Sequence, residues 1–247
     1  LKGQETSEMA RYNITTYGAS EANQNNLTQI QSAINAANTS QGGEVFFPEG
    51  TWQINGILTV YDNLVLLGEG PGSIIDQRST NAAAIFQIVG TSGTFRTRVH
   101  FKDLYLRGEV FWAGTSPSAP ANFQSEVAIS ASKVNQLTIE RCYFSHFTSN
   151  VVLLMEARNS RVTDCVFFEN YFDTPWADHG YAEVYIHDAS ERLIIAGNQF
   201  LSNNRRGVYV NGFKPTQLAI QDNVIVPTSA TGIPLAPASV KRENAIV

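Results

Sequence analysis

Charge is scarce in this sequence: Asp, Glu, Lys and Arg make up 16% of it, and the balance is acidic, with a formal net charge of −5. Lys and Arg form no long run. The chain therefore has no basic field for nucleic acid or an anionic lipid surface, and no nucleic-acid partner is expected. No apolar run approaches the roughly 20 residues that cross a bilayer, so no membrane span is expected, and the opening LKGQETSEMARYN is too polar for an export signal. Because residue 1 is Leu rather than Met, the chain is expected to be a processed product or an excised piece. Cysteine is nearly absent. Cys142 and Cys165 are too few for a disulfide scaffold, and neither has a CxxC partner for a metal. A phosphate loop and a Ser-His-Asp order are missing as well. What the chain does have is 43% hydrophobic residues over 247 positions, enough to bury a full core in one elongated domain or two small ones.

The spacing of the two cysteines exposes an internal repeat. LTIERCYF (137 to 144) matches RVTDCVFF (161 to 168) when Ile139 is set on Val162, Cys142 on Cys165 and Phe144 on Phe167, an offset of 23 residues. The template returns with Ile195, Asn198 and Phe200, again with Ile220, Asn223 and Ile225, and earlier with Phe101, Leu104 and Leu106. The later copies follow β-rich stretches, VAIS (127 to 130), VVLL (151 to 154), EVYIH (183 to 187) and GVYVN (207 to 211), which read as strands. Repeats of roughly 20 to 25 residues built from short strands predict an all-β fold, a single-stranded parallel β-helix, or solenoid. A leucine-rich repeat is the structural rival, but the copies lack its leucine framework. In the solenoid, Cys142, Cys165, Asn198 and Asn223 stack as an internal ladder, with Cys as a small buried hydrophobe and Asn holding a bend.

A solenoid leaves its first coil with bare apolar faces, so its end needs a cover. Leu27, Ile30 and Ile34, behind Asn25 or Asn26 as N-cap, predict a short N-terminal capping helix. The stretch GGEVFFPEGTW (42 to 52) then starts the first coil: Gly42 and Gly43 end the helix, Val45 to Phe47 form a strand, and Pro48 to Gly50 make a corner. The expected organisation is a single domain over 1–247, with the cap in 11–41, coils in 42–226 and a tail in 227–247. That tail carries Pro227, Pro234 and Pro237 without a further clear copy. The open end predicts a homotrimeric partner or a continuation of the chain, unless Ile233 and Leu235 fold back over the last coil.

YNITTYGA (12 to 19), the helix end INAA (34 to 37), GGEVFFPEGTWQI (42 to 54) and NLVLLGEGPGSII (63 to 75) together resemble the N-terminal signature of pectate-lyase-like right-handed parallel β-helix proteins. The signature covers about a quarter of the chain, and the repeats carry the likeness to residue 226. The resemblance implies polysaccharide lyases and hydrolases, alginate epimerases and phage tailspike depolymerases as comparable proteins. It also implies an extracellular, cell-surface or virion location. One departure lies at Ser20 to Asn26, which reads SEANQNN where the family commonly has Gly-Asp-Gly followed by paired Asp. Different local chemistry is expected there.

Fold alone does not give function, so the site is read from the repeat. Period-two alternation turns Val184, Ile186, Val208 and Val210 inward and Glu183, Tyr185, His187, Tyr209 and Asn211 outward. The result is a polar and aromatic strip, although a solvated sheet face with cross-strand aromatic pairs has the same pattern. Two long connections, 109 to 125 and 170 to 180, occur at one phase of the coil and two coils apart. They are expected to form walls about 10 Å apart, at roughly 4.8 Å per coil. Each carries a tryptophan, Trp112 or Trp176, suited to stacking on a sugar ring; equally, each indole could plug its own loop onto the coil.

Around this groove lie Asp173, Asp178, His179, Glu183, His187, Asp188, Arg205 and Arg206. Glycoside hydrolysis needs two carboxyl groups across a bond, whereas lyase or epimerase chemistry needs a base near the C5 proton. The candidate acid–base residues are His187, Asp178, Asp188 and Glu183. The candidate substrate contacts are Trp112, Trp176, Tyr185, Tyr209, Asn211, Arg205, Arg206 and His179. Against the Asp-Pro-His-Glu of alginate epimerases, Tyr185 to Asp188 keeps only the His, with a shorter carboxylate after it. His100 and His146 have no acidic cluster nearby in sequence and read as structural. No cofactor is expected: Ca²⁺ fits the carboxylates chemically, but no spacing is a known loop motif. Two functions follow, with a polysaccharide or cell-surface glycan as partner. One is a polysaccharide lyase or glycoside hydrolase. The other is a non-catalytic receptor-binding or adhesive β-helix.

Overall fold

The computed structural model describes residues 9–79, 83–108, 127–147, 149–170, 182–201, 206–212 and 215–226. Among the described residues, a strand, a 3-10 turn at Ile14–Tyr17 and a helix are followed by strands that pair in parallel with their neighbours. Three sheets run along the solenoid axis. The first contains Leu58–Thr59, Ala84–Val89, Ala182–His187, Arg206–Asn211 and the leading halves of Val127–Glu140 and Val152–Thr163. The second runs from Arg11–Asn13 through Gly43–Phe46, Leu64–Leu67, Arg96–Lys102 and the trailing halves of those two long strands to Glu191–Ala196 and Thr216–Gln221. The third stacks Gly50–Ile54, Ser73–Gln77, Tyr105–Arg107, Tyr143–Ser145, Val166–Phe167, Gln199–Leu201 and Val224–Val226.

The register is the one the repeat predicts. Ile139 pairs with Val162, Val162 with Ile195, and Ile195 with Ile220. Phe144 pairs with Phe167, and Phe167 with Phe200. The three rings form a column inside the coil, with centroids 4.8 Å and 5.0 Å apart. The sequence differs from the structure at the corner between the first and second sheets. VAIS and LTIE were expected as separate strands but belong to one continuous strand, Val127–Glu140. The chain turns there on two left-handed residues, Lys133 and Gln136, and in the next coil on Glu156 and Asn159, and the pairs resume in the same register after each.

Left-handed residues mark the other bends too. Asp103, Arg141, Asp164, Gly197 and Asp222 form a column between the second and third sheets. Directly after them comes the polar ladder. Asn198 Oδ1 accepts from Cys165 N–H at 3.0 Å, and Asn223 Oδ1 accepts from Asn198 N–H at 3.0 Å. The side-chain amides also donate backward, Asn198 Nδ2 to Val162 O at 3.0 Å and Asn223 Nδ2 to Ile195 O at 2.8 Å. Cys165 plays the same part in sulfur: its Sγ accepts from Cys142 N–H at 3.5 Å and lies 3.7 Å from Ile139 O. Both thiols are buried and free, and burial pushes the Cys165 thiol well up. Asn and Cys are therefore interchangeable at this bend because each presents one acceptor and one donor to the neighbouring coil.

The helix Leu27–Thr39 lies on the first coils with Ile30, Ala33, Ile34 and Ala37 buried. Asn26 occupies the N-cap position without a side-chain capping bond; Asn25 Oδ1 instead accepts from Leu27 N–H at 3.0 Å. Asn26 is buried, takes Ser20 N–H on its Oδ1 at 2.8 Å, and sends its own N–H to Gln53 O at 2.7 Å. Glu21 Oε1 accepts from Thr51 N–H at 2.7 Å. The unusual SEANQNN segment thus stitches the start of the helix to the third sheet. At the far end the helix stops at Thr39, and Gln41 rather than a glycine takes the left-handed position. Gly42, at φ 126°, then passes so close to Asn63 that a Cβ would sit 2.6 Å from its carbonyl oxygen. Trp52 is buried and donates its indole N–H to Pro48 O at 3.0 Å, closing the Pro-Glu-Gly corner.

Substituting Asn198→Ala strands the Cys165 amide and the Val162 carbonyl in the core. It should lower the free energy of unfolding in urea by about 2–4 kcal/mol. Asn198→Cys should recover part of that loss, since Cys165 already satisfies the same two neighbours; no recovery would show that the ladder is not a matter of paired polar groups.

Candidate functional site

The strip predicted on the first sheet is present. Val184 pairs with Val152 and Val208, and Ile186 with Leu154 and Val210. Val184 and Ile186 are buried, while Val208 and Val210 pack partly buried against the core. This leaves Tyr185 opposite Tyr209 and His187 opposite Asn211 on the outer face. The two tyrosine rings are 5.5 Å apart, and the Tyr185 and His187 rings lie near-parallel at 5.8 Å. Asn211 Nδ2 donates to Tyr185 Oη at 2.7 Å, which fixes the phenol against the amide. His187 Nδ1 is 2.7 Å from Asp188 Oδ1. A carboxylate at that nitrogen orients the imidazole ring.

Register adds a residue that the linear reading missed. Met155 pairs with His187, so the next residues, Glu156 and Asp188, both left-handed, are neighbours at the corner. Strands one coil apart lie about 4.8 Å from each other, so two acidic residues stand at the corner where the strip ends. Glu156 also faces Lys133, with Nζ 3.7 Å from its Oε1. The signal was available in the repeat alignment once Leu154 was set on Ile186.

Glu183 is a correction. Alternation turns it outward, yet it is fully buried. Asn170 Nδ2 donates to its Oε2 at 3.0 Å and also to Phe144 O at 3.2 Å, while Asn170 Oδ1 accepts from Phe147 N–H at 3.1 Å. Glu183 completes a buried polar corner with Asn170 and residues 144–147, so it lies in the interior and not on the outer face. Asp173, Asp178, His179, Trp112, Trp176 and Arg205 lie outside the described residues. Arg206 is placed by its backbone alone, opposite Ala182.

The two histidines read as lacking acidic neighbours in sequence gain them in space. His100 Nε2 is 3.3 Å from Glu140 Oε2, and His146 Nε2 is 3.8 Å from Glu169 Oε2. Ser145, buried, joins Tyr105 Oη at 2.7 Å to His146 Nδ1 at 2.6 Å. This chain of groups spans adjacent coils of the third sheet, and its serine is too deeply buried to meet a polymer. Burial lowers the affinity of both histidines for a proton, against the pull of their glutamates. Among the described residues no group of three or more His, Cys, Asp or Glu is placed to hold a metal, and no helix is long and apolar enough to cross a membrane.

Three parallel sheets, coil-to-coil register and an internal polar ladder define a parallel β-helix. The family model for the right handed beta helix region matches residues 81–241, and the chain belongs to that family. No curated protein matches it by sequence. Among solved structures it is similar to a protein from Parabacteroides merdae described as a glycosyl hydrolase, at TM-score 0.68 and 12% identity, covering 87% of this chain and 97% of that one. It is also similar to PfbA, a surface protein and adhesin of Streptococcus pneumoniae, at TM-score 0.69 and 17% identity, over 87% of this chain and 61% of that one. A third likeness is to the A-module of the mannuronan C-5 epimerase AlgE6 of Azotobacter vinelandii, at TM-score 0.64 and 20% identity, over 87% and 56%. The chain thus spans little more than half the length of the latter two.

A histidine whose folded pKa is depressed leaves the unfolded chain holding more protons as pH falls below the ordinary value near 6.5, so stability drops as pH falls through that region. Urea unfolding should therefore show a less stable protein at pH 5.5 than at pH 7.5. The difference should shrink in the His100→Gln/His146→Gln double variant; an unchanged difference would assign the loss to other groups.

Proposed function

We propose that the protein is an extracellular, cell-surface or virion-borne β-helix that recognises a polysaccharide along the outer face of its first sheet. The observation that carries the reading is the Tyr185, Tyr209, His187 and Asn211 cluster, tied by the Asn211–Tyr185 hydrogen bond beside the Asp188 and Glu156 corner. Phenol faces suit the C–H face of a sugar, and amide, imidazole and carboxylate groups suit its hydroxyls. The 109–125 and 170–180 connections, with Trp112 and Trp176, both join the third sheet to the first, which supports their role as walls of the same groove. Arg205, His179 and Arg206 would add polar contacts at its edge.

The favoured activity is that of a polysaccharide lyase or glycoside hydrolase. His187 is the base, oriented by Asp188, and Asp178 or Glu156 is the second acid–base group. The adhesin similarity favours a second reading, in which the same strip holds a receptor glycan without turnover. The likeness to an epimerase module keeps uronate epimerisation as a variant of the first, resting on His187. The helix Leu27–Thr39 is the N-terminal cap of a single domain, a role supported by its buried face. A homotrimeric partner is the proposed cover for the open end of the solenoid, which light scattering tests directly.

Tyr185→Ala and Tyr209→Ala should each weaken binding to the recognised glycan by about five- to tenfold, measured across a panel of neutral and uronate-containing polysaccharides. Following new reducing ends and unsaturated-uronate absorbance on that panel separates hydrolase from lyase. His187→Ala should abolish turnover while binding persists. Binding without turnover over the whole panel would favour the receptor-binding reading, and unchanged binding in both tyrosine variants would remove the first sheet from glycan recognition.

A further inference from the structure

The second sheet carries a groove that the first-sheet reading does not use. Asn63, Arg98, Gln136, Asn159 and Arg192 form a column of left-handed residues on successive coils, and the strands bend along it. The adjacent outward column runs Val65, His100, Thr138, Arg161 and Ile194. Between the two columns lies a groove of about 920 Å³. Five coils at about 4.8 Å per strand give it a length of about 20 Å along the axis.

Its charge is opposite to that of the chain. The net charge is −5, yet the lining includes Arg98, Arg161 and Arg192 and no Asp or Glu. The guanidinium groups are held in one repeated way: a neutral side chain one coil earlier takes the Nε–H. Asn63 Oδ1 accepts from Arg98 Nε at 2.6 Å, Thr138 Oγ1 from Arg161 Nε at 3.2 Å, and Asn159 Oδ1 from Arg192 Nε. Arg192 also has Glu191 Oε2 at 3.3 Å from its Nη2, but Arg98 and Arg161 form no ion pair among the described residues. Arg98 and Arg161 are thus held through Nε by neutral acceptors, with Glu140, 3.3 Å from His100, as the carboxylate at the rim; arginines held in this way keep their terminal nitrogens for an external anion.

The floor decides the class of ligand. It is the face of a sheet whose strands are paired on both sides, so it has no free edge to which a peptide could add as a strand. Recognition must come from side chains. These offer amides at Asn63, Gln136 and Asn159, a hydroxyl at Thr138, and apolar ledges at Val65 and Ile194, the last 44% exposed. Hydroxyl-seeking amides, apolar ledges and spaced guanidinium groups along an axial groove fit sugar rings bearing regularly spaced anions. We propose that this groove binds a linear acidic polysaccharide, its carboxylate or sulfate groups meeting Arg98 and Arg161. The inference does not depend on glycan binding at the first sheet.

The test is calorimetric titration of the full chain with polygalacturonate, dextran sulfate, uncharged dextran and poly-L-glutamate. Variants are Arg98→Gln/Arg161→Gln, Gln136→Lys, and Tyr209→Ala as the first-sheet control. The wild type should bind one or both of the charged polysaccharides, more weakly as salt rises, and should bind dextran and poly-L-glutamate at least tenfold less well. The arginine double variant should lose about tenfold or more in affinity, since each lost charge-assisted contact is worth about that factor. Gln136→Lys adds a cation in the same column without removing a contact, so it should tighten binding and does not depend on how the double variant folds. In the Tyr209→Ala background, where first-sheet recognition is weakened, the arginine double variant should still lose about tenfold. Binding of poly-L-glutamate as tight as that of the polysaccharides would overturn the assignment in favour of an acidic peptide. Charged-polysaccharide binding that vanishes with Tyr209→Ala and ignores both groove variants would overturn the second site.

Discussion

Because the backbone of each coil pairs in parallel with the next, every residue of one turn meets its counterpart at about 4.8 Å, and a slip of one residue would turn the core-facing side chains of a whole coil to solvent. The molecule depends on this registry. It stacks Phe144, Phe167 and Phe200 into one column, and it brings Cys142, Cys165, Asn198 and Asn223 to one bend. It also turns isolated side chains into rows: Tyr185 with Tyr209, His187 with Asn211, Arg98 with Gln136. A functional surface on such a scaffold is therefore written one residue per turn.

The bends are where side-chain chemistry supports the backbone. Left-handed conformations at non-glycine residues are unfavourable by roughly 1 kcal/mol or more each, and here they recur in columns. They persist because the neighbouring coil makes the same bend and the polar groups freed at it are taken up from within. The Asn and Cys ladder does this inside the coil; Arg141, bidentate to Asp103 at 2.8 Å for both bonds, does it outside. The Arg98 and Arg192 contacts extend the same device into the groove of the second sheet, so one constraint produces both support and a positively charged surface.

The parts of the fold that were legible from sequence are those that repeat. The 23-residue offset, the ladder and the inward rows could be read because the same spacing recurs and the apolar pattern has one solution. What did not repeat was harder to read. Glu183 follows the alternation of its strand in sequence, but its environment is set by Asn170, a residue from the preceding coil, and its burial cannot be seen from the strand alone. His100 and His146 looked isolated because their partners, Glu140 and Glu169, are neighbours only after stacking. The sequence offers Asn25 and Asn26 equally as N-cap, and only the structure shows Asn26 engaged with Ser20 and Gln53, which leaves the task to Asn25.

The connection from the third sheet to the first is 146–151 in one coil but 108–126 and 168–181 in the coils on either side, with the strand register undisturbed. Closing a loop three times as long costs only about 1 kcal/mol more in chain entropy, because the penalty grows with the logarithm of length. The strands fix where such a segment begins and ends and place almost no limit on its content. A lineage could therefore exchange these segments wholesale and acquire a different ligand while the solenoid beneath stayed the same, with recognition and folding free to diverge at separate rates.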